Sequence, residues 1–241
     1  MCESPTRPRR AVLRDSLGVG VAVGASGVAF GGTAVAGGLS VAQACALSLL
    51  AFTGASQFAL VAAVAAGGNP LPGAVGALLL GSRNALYGLR IGPLLGLDTP
   101  ARRLGAAQFV IDETTAVTIA QPDRRSARLG FGATAATLFV LWNATTLAGA
   151  LGATALGDPS RYGLDVAGPA CFLALLWPQV RGARERYWVA GLAVLVALAT
   201  SPVLPSGVPI LLATLAVPAV LVVRRTGGAT STRRDAEEAR R

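Results

Sequence analysis

Histidine and lysine are both missing from this 241-residue chain, so all 21 of its basic residues are arginine. Losing histidine removes the side chain that most often serves as general base, proton shuttle or metal ligand near neutral pH. Cysteine is scarce. Cys2, Cys45 and Cys171 show no CxxC spacing, and two of them lie inside apolar runs, which implies neither a disulfide framework nor a zinc site. No metal, no cofactor and no catalytic group is expected. Charge is thin as well: 14% of the residues are charged against 53% hydrophobic, and a soluble domain of this length needs far more polar surface. No Walker motif is present, so ATP is not a direct energy source.

The formal charge of +9 raises the question of nucleic acid. The arginines are not interleaved with aromatics, however, and there is no basic soluble domain to carry such binding. They gather in the gaps between apolar runs, the pattern of the positive-inside rule and of contact with anionic lipid headgroups.

Several apolar runs of about 18–20 residues follow one another with short connections, and each is a candidate spanning helix. The fold class is an all-α polytopic integral membrane protein with about seven or eight transmembrane helices, some of them broken. Residues 1–15 form a basic cytoplasmic N-terminus, residues 16–223 a transmembrane transport domain, and residues 224–241 a charged, disordered cytoplasmic tail. The spans are expected at 16–37, 40–66, from 71 onward, 104–120, 129–151 and 164–180. Residues 187–204 and 207–223 form either two more spans or one re-entrant hairpin. The first run is glycine-rich, lacks a cleavage site and is read as retained. An inside N-terminus places the arginines of 7–14, 124–128, 181–186 and the tail in the cytoplasm, with Arg102, Arg103 and Arg161 outside. Spans one to three and four to six echo each other, each triplet having a polar middle member and a third member disturbed by Gly and Pro. That is compatible with a three-plus-three inverted repeat.

Polar residues interrupt these runs where hydrocarbon makes an unpartnered group cost several kcal/mol, roughly. Gly54, Ser56 and Gln57 do so in FTGASQF, and Arg83, Asn84 and Tyr87 in SRNALYG. Asp112 and Glu113 stand side by side in the fourth run, and Trp142 and Asn143 in the fifth. Arg83 is suited to bind a carboxylate bidentately, from a substrate or from the fourth run, unless it snorkels to headgroups. Asp112 and Glu113 are candidate proton carriers, or fixed partners of Arg83. Ser56 and Gln57 either meet a polar substrate group or hydrogen-bond between helices. Trp142 with Asn143 either borders the substrate or packs. Asp165, near a span end, suits a helix cap.

FTGASQF, SRNALYG, the IDE of the fourth run, WNATTLAGALG and GLDVAGPACFLALL occur in the order expected of the AzlC family, which the chain resembles from about residue 18 to 180. The resemblance implies the large subunit of a branched-chain amino-acid exporter. Such a protein uses an ion gradient and works with a small AzlD-type membrane protein in the cell membrane. The family commonly has Arg-His where this chain has Arg83 and Asn84, so suspicion for proton coupling shifts to Asp112 and Glu113. A substrate zwitterion is expected to set its carboxylate against Arg83 or a half-helix N-terminus and its ammonium against Asp112, Glu113 or free carbonyls. Its aliphatic chain is expected near Phe58 and Trp142. Two competing classes are an intramembrane enzyme and a non-transporting assembly subunit. The first lacks a nucleophile with its base, and the second needs no intramembrane charges.

Overall fold

In the computed structural model the apolar run at 40–66 does not cross as one broken helix; it turns back on itself. The structure describes residues 7–65, 70–156 and 184–204, with isolated positions between 170 and 181 and between 209 and 220. Residues Met1–Cys171 and Phe172–Arg241 form two units. In the first, α1 (Arg9–Gly24) and α2 (Gly27–Ala36) follow one another, together long and apolar enough to cross a membrane. Next, Ser40 starts α3 (Val41–Leu50) with a capping box to Gln43, a device that contributes about 1 kcal/mol. The chain turns at Gly54, whose φ of 63° favours glycine, and runs back as α4 (Ala55–Ala65). The reversal is fixed at both ends. Gln57 Nε2 donates to the Leu47 carbonyl at 3.0 Å, and a Cβ on Gly37, where α2 ends, would lie 3.2 Å from Ala65.

From there α5 (Pro70–Gly81) and α6 (Arg83–Leu95) run back past α4 toward the end where α1 began. A Cβ on Gly73 would meet Ala63, one on Gly81 would lie 3.3 Å from the Ser56 hydroxyl, and the far end of α6 is bound by Arg124 and Arg128. Arg124 donates to the Pro93 carbonyl at 3.0 Å, and Arg128 to those of Leu95 and Gly96 at 2.6 and 3.2 Å. Cations on the last carbonyls of a helix stabilise it. Gly96 closes α6 at φ 59°.

A second hairpin then enters from this end. Thr99 caps α7 (Pro100–Ala107), with proline at a first-turn position that needs no N–H. Its tip reaches the middle of the unit at Gln108, and α8 (Asp112–Ile119) returns. Finally Asp123 caps α9 (Arg124–Ala155), the longest helix among the described residues, by accepting from the Ser126 N–H. That backbone donor, followed by the Ser126 hydroxyl, holds the Asp123 carboxyl below its usual range. Along its length α9 runs parallel to α1 and α2. Ser16 donates to the Gly130 carbonyl, a Cβ on Gly24 would lie 2.6 Å from that of Leu141, and one on Gly31 would strike the Thr146 carbonyl. In the second unit α10 (Arg184–Thr200) is a 17-residue apolar helix.

Every described helix is α-helical and no strand occurs among the described residues, as the composition requires. Two expectations are corrected. The runs at 40–66 and 104–120 are hairpins of half-helices, because an apolar stretch reports what surrounds it and not which way the chain goes. The segment at 98–103, which includes the first turn of α7, therefore lies at the same end as residues 7–14 and 121–128, so Arg102 and Arg103 are not on the opposite side from them; Arg161 lies outside the described residues. A shorter echo pairs one traversing segment with one hairpin, residues 9–65 with 70–119; the sixth span of the three-plus-three grouping lies outside the described residues. The 164–180 and 207–223 runs lie largely outside the described residues. Asp165 and the break at Gly168 and Pro169 fall there too.

The repeat is visible in details that share one sequence interval. Phe52 and Phe109 both stand edge-on to Phe139, with ring centroids 5.1 and 5.3 Å away. The Gly54 N–H is accepted by the Gln57 side chain at 3.2 Å and the Ile111 N–H by the Thr114 hydroxyl at 3.0 Å. Within one residue of the same interval, Ser26 and Ser82 mark the bends of the two traversing segments, and each hydroxyl donates three residues back, at 2.6 and 2.7 Å. The hairpins enter from opposite ends, so the two copies are inverted.

Candidate functional site

Two helix N-termini, those of α4 and α8, begin at the middle of the unit, where the hairpin tips touch. Gln108 Nε2 donates to the Leu49 carbonyl at 2.9 Å, joining one tip to the other. A helix N-terminus carries unsatisfied N–H groups and about half a positive charge. The two termini are answered differently. The first turn of α4 holds no acid, and Ser56 and Gln57 are buried there. The first turn of α8 supplies its own anions, Asp112 and Glu113.

Arg83, at the start of α6, pairs with Asp112 at 2.5 Å; the two side chains are 33% and 39% exposed. Of the partners open to it in sequence, this arginine has taken the carboxylate of the second hairpin. The Tyr87 hydroxyl, one turn on, also faces Asp112. Glu113 forms no ion pair among the described residues and takes its own backbone N–H. Five of the residues singled out in sequence hold a buried polar atom with no protein partner: Ser56 Oγ, Arg83 Nε, Asn84 Oδ1, Trp142 Nε1 and Asn143 Oδ1. Buried polar atoms are normally hydrogen-bonded; of these five, Ser56, Arg83 and Asn84 belong to the segments that meet at the tips, whereas Trp142 lies in the aromatic core with Phe30 and Phe58.

A cavity of about 810 Å³ extends from this centre to the arginine-rich end. Asn84 and Val110 line its inner part, Leu89 and Ala106 the walls, and Asp98 and Arg103 the mouth. Asn84 is the one predicted site residue on its lining. Gly54, Ser56, Gln57, Arg83 and Asp112 are not on that lining; they lie at the two hairpin tips, which Gln108 joins. Trp142 stands apart, stacked on Phe30 with centroids 5.9 Å apart and edge-on to Phe58 at 6.3 Å. All three rings are buried. The expected apolar pocket beside Phe58 and Trp142 is therefore a filled core, and the apolar surface available to a ligand is that of α6 and α7. Asn143 spends its amide on the Phe139 carbonyl at 2.8 Å.

Sequence reasoning missed Gln108 as the link between tips and Phe139 as the ring shared by both. The signal was present in the matched phenylalanines of FTGASQF and FVIDETT. Among the described residues no cluster of acidic or cysteine side chains suits a metal.

The family model of the AzlC protein matches residues 18–156. The chain belongs to the AzlC family. This family is associated with branched-chain amino-acid transport, and with it the apolar helices mark a membrane protein. No curated protein and no solved structure matches the chain. Leu78, Leu86, Leu104 and Val140 are each more than 60% exposed, a distribution that suits lipid and not water.

Proposed function

We propose that this AzlC protein is a multi-pass secondary transporter of the cell membrane. It exports branched-chain or related hydrophobic amino acids on an ion gradient, together with a small AzlD-type membrane subunit. The observation that carries the reading is the unequal pair of half-helix N-termini at one centre, one bare and one acidic. A zwitterion has the matching polarity. Its carboxylate is drawn to the bare α4 terminus, beside the unpartnered Ser56 hydroxyl, and its ammonium to Asp112 and Glu113. The aliphatic part rests on Ala85, Leu89, Ala106 and Val110, which line the cavity. Arg83 holds Asp112 in place and offsets its charge. Glu113, without an ion partner among the described residues, is the group we assign to carry the coupling proton. With the arginine-rich end in the cytoplasm, residues 7–14, 98–103 and 121–128 obey the positive-inside rule together.

Counterflow in proteoliposomes containing a small partner tests this. Labelled leucine, valine and methionine should exchange against unlabelled substrate. Ser56→Ala should weaken apparent affinity by about fivefold to tenfold, the worth of one hydrogen bond. Glu113→Gln should retain exchange and lose gradient-driven accumulation. Exchange of none of these amino acids, or full driven transport by Glu113→Gln, contradicts the proposal.

A further inference from the structure

A second cavity, of about 570 Å³, opens where α1 and α9 begin, with Arg7, Arg9, Asp123, Arg125, Ser126 and Leu129 on its lining. It shares no residue with the 810 Å³ cavity. The N-terminal segment brings Arg7 and Arg9, and the first turn of α9 brings Arg125. Just below, the Ser16 hydroxyl of α1 donates to the Gly130 carbonyl of α9. The carboxylates nearby are spent. Asp123 accepts from the Ser126 N–H and hydroxyl at 2.9 and 2.7 Å, and Asp15 pairs with Arg7 and Arg14. Arg9 and Arg125 are exposed and form no ion pair among the described residues. Beneath the arginines the surface turns apolar. On α9, Leu129 is followed at helical spacing by Ala133, Ala136 and Val140, and on α1 Arg9 is followed by Leu13, Leu17 and Val21. The two helices run parallel with Gly20 against Thr137, so these rows flank one groove. Leu17, Val21 and Val140 are exposed along it.

We infer that this place binds one anionic phospholipid, with its phosphate between Arg9 and Arg125 and one acyl chain in the groove over Ala133 and Ala136. Guanidinium groups hold phosphate oxygens through charge-assisted hydrogen bonds. Positive charge beside a span serves orientation in any membrane. A cavity with unpaired arginines above an apolar groove does more, because it selects one lipid from that membrane. The small side chains of Ala133 and Ala136 leave the chain room that bulkier residues would take. A lipid seated there bridges α1 to α9 at the end where both begin. The inference needs a membrane around the chain, but it does not rest on the transport reading.

Native mass spectrometry of the detergent-solubilised chain tests this, with phosphatidylglycerol and phosphatidylcholine of identical acyl chains as probes. One phosphatidylglycerol should be retained, about tenfold or more tighter than phosphatidylcholine. Arg9→Gln combined with Arg125→Gln should weaken it by about tenfold to thirtyfold. Arg10→Gln combined with Arg14→Gln removes the same charge outside the cavity and should change retention by less than about twofold. Ala136→Trp keeps every arginine, fills the groove and should weaken retention by about fivefold or more. Inorganic phosphate in about hundredfold excess should not displace the lipid, because it makes no use of the groove. All the substituted positions are exposed, and an unchanged unfolding temperature in lipid-free detergent shows that each variant is folded. Equal retention of the two lipids, or equal losses from the two arginine pairs, overturns the inference and leaves diffuse attraction to a basic surface. Displacement by inorganic phosphate overturns it in favour of a free-anion site. Full retention by Ala136→Trp also contradicts it, since the acyl chain then lies elsewhere.

Discussion

At the tip of the first hairpin the chain turns through Gly54 and offers Ser56 and Gln57; at the second it turns at Ile111 and offers Asp112 and Glu113. The backbone device is shared, down to a side chain three residues on that accepts the first free N–H. What differs is charge at the tip and packing behind it. The first copy is neutral and closed against α9, and the second is ionic and stands beside a cavity. A duplicated unit can thus supply both poles of a dipolar site, because a half-helix N-terminus is positive until acids are placed on it.

The packing difference predicts the larger effect on stability. Gly31→Val drives a side chain into backbone of α9, an obstruction that cannot rotate away, and should lower stability by about 3 kcal/mol. Gly88→Val, its counterpart at the same sequence interval, should change stability by less than about 0.5 kcal/mol in detergent unfolding, since its Cβ enters open space. Equal losses at the two positions would break the comparison between copies.

The charge difference predicts a smaller one. Arg83→Gln strands Asp112, and because both side chains are about a third exposed, the loss should fall near 1–2 kcal/mol, between an exposed pair and a buried one. Neutralising the partner as well, in Arg83→Gln with Asp112→Asn, should restore most of it. Thermal unfolding of the two single variants and the double variant measures this. If the double variant is no more stable than Arg83→Gln alone, the pair does not hold the second tip together.

Much of this was legible in the sequence, and for identifiable reasons. Arg83, Asp112, Ser56 and Gln57 stood out because hydrocarbon tolerates such groups only with partners or a cavity, and the structure gathers them where the helices break. Direction was not legible. An apolar run such as 40–66 has the same composition whether it crosses once or goes in and returns. The deciding contacts, Gln57 on Leu47 and Gln108 on Leu49, link positions that no periodicity connects. The arginines of 121–128 illustrate the same limit. Their position beside a span is explained by membrane topology, and the structure adds that Arg124 and Arg128 bind the last carbonyls of α6. Trp142 looked like a site residue because an aromatic beside an asparagine in an apolar run suits both roles, and here core packing took it.

The central claim is that both hairpins return to the end they entered from, and the loop between α6 and α7 decides it. Single cysteines at Arg10, Ala36 and Asp98, all exposed, report the side on which each position lies when intact vesicles meet an impermeant thiol reagent. The account predicts that Arg10→Cys and Asp98→Cys react from one face and Ala36→Cys from the other. Reaction of Asp98→Cys from the same face as Ala36→Cys would mean that the 40–66 run crosses once, and would contradict the inverted pair of half-helices on which the site is built.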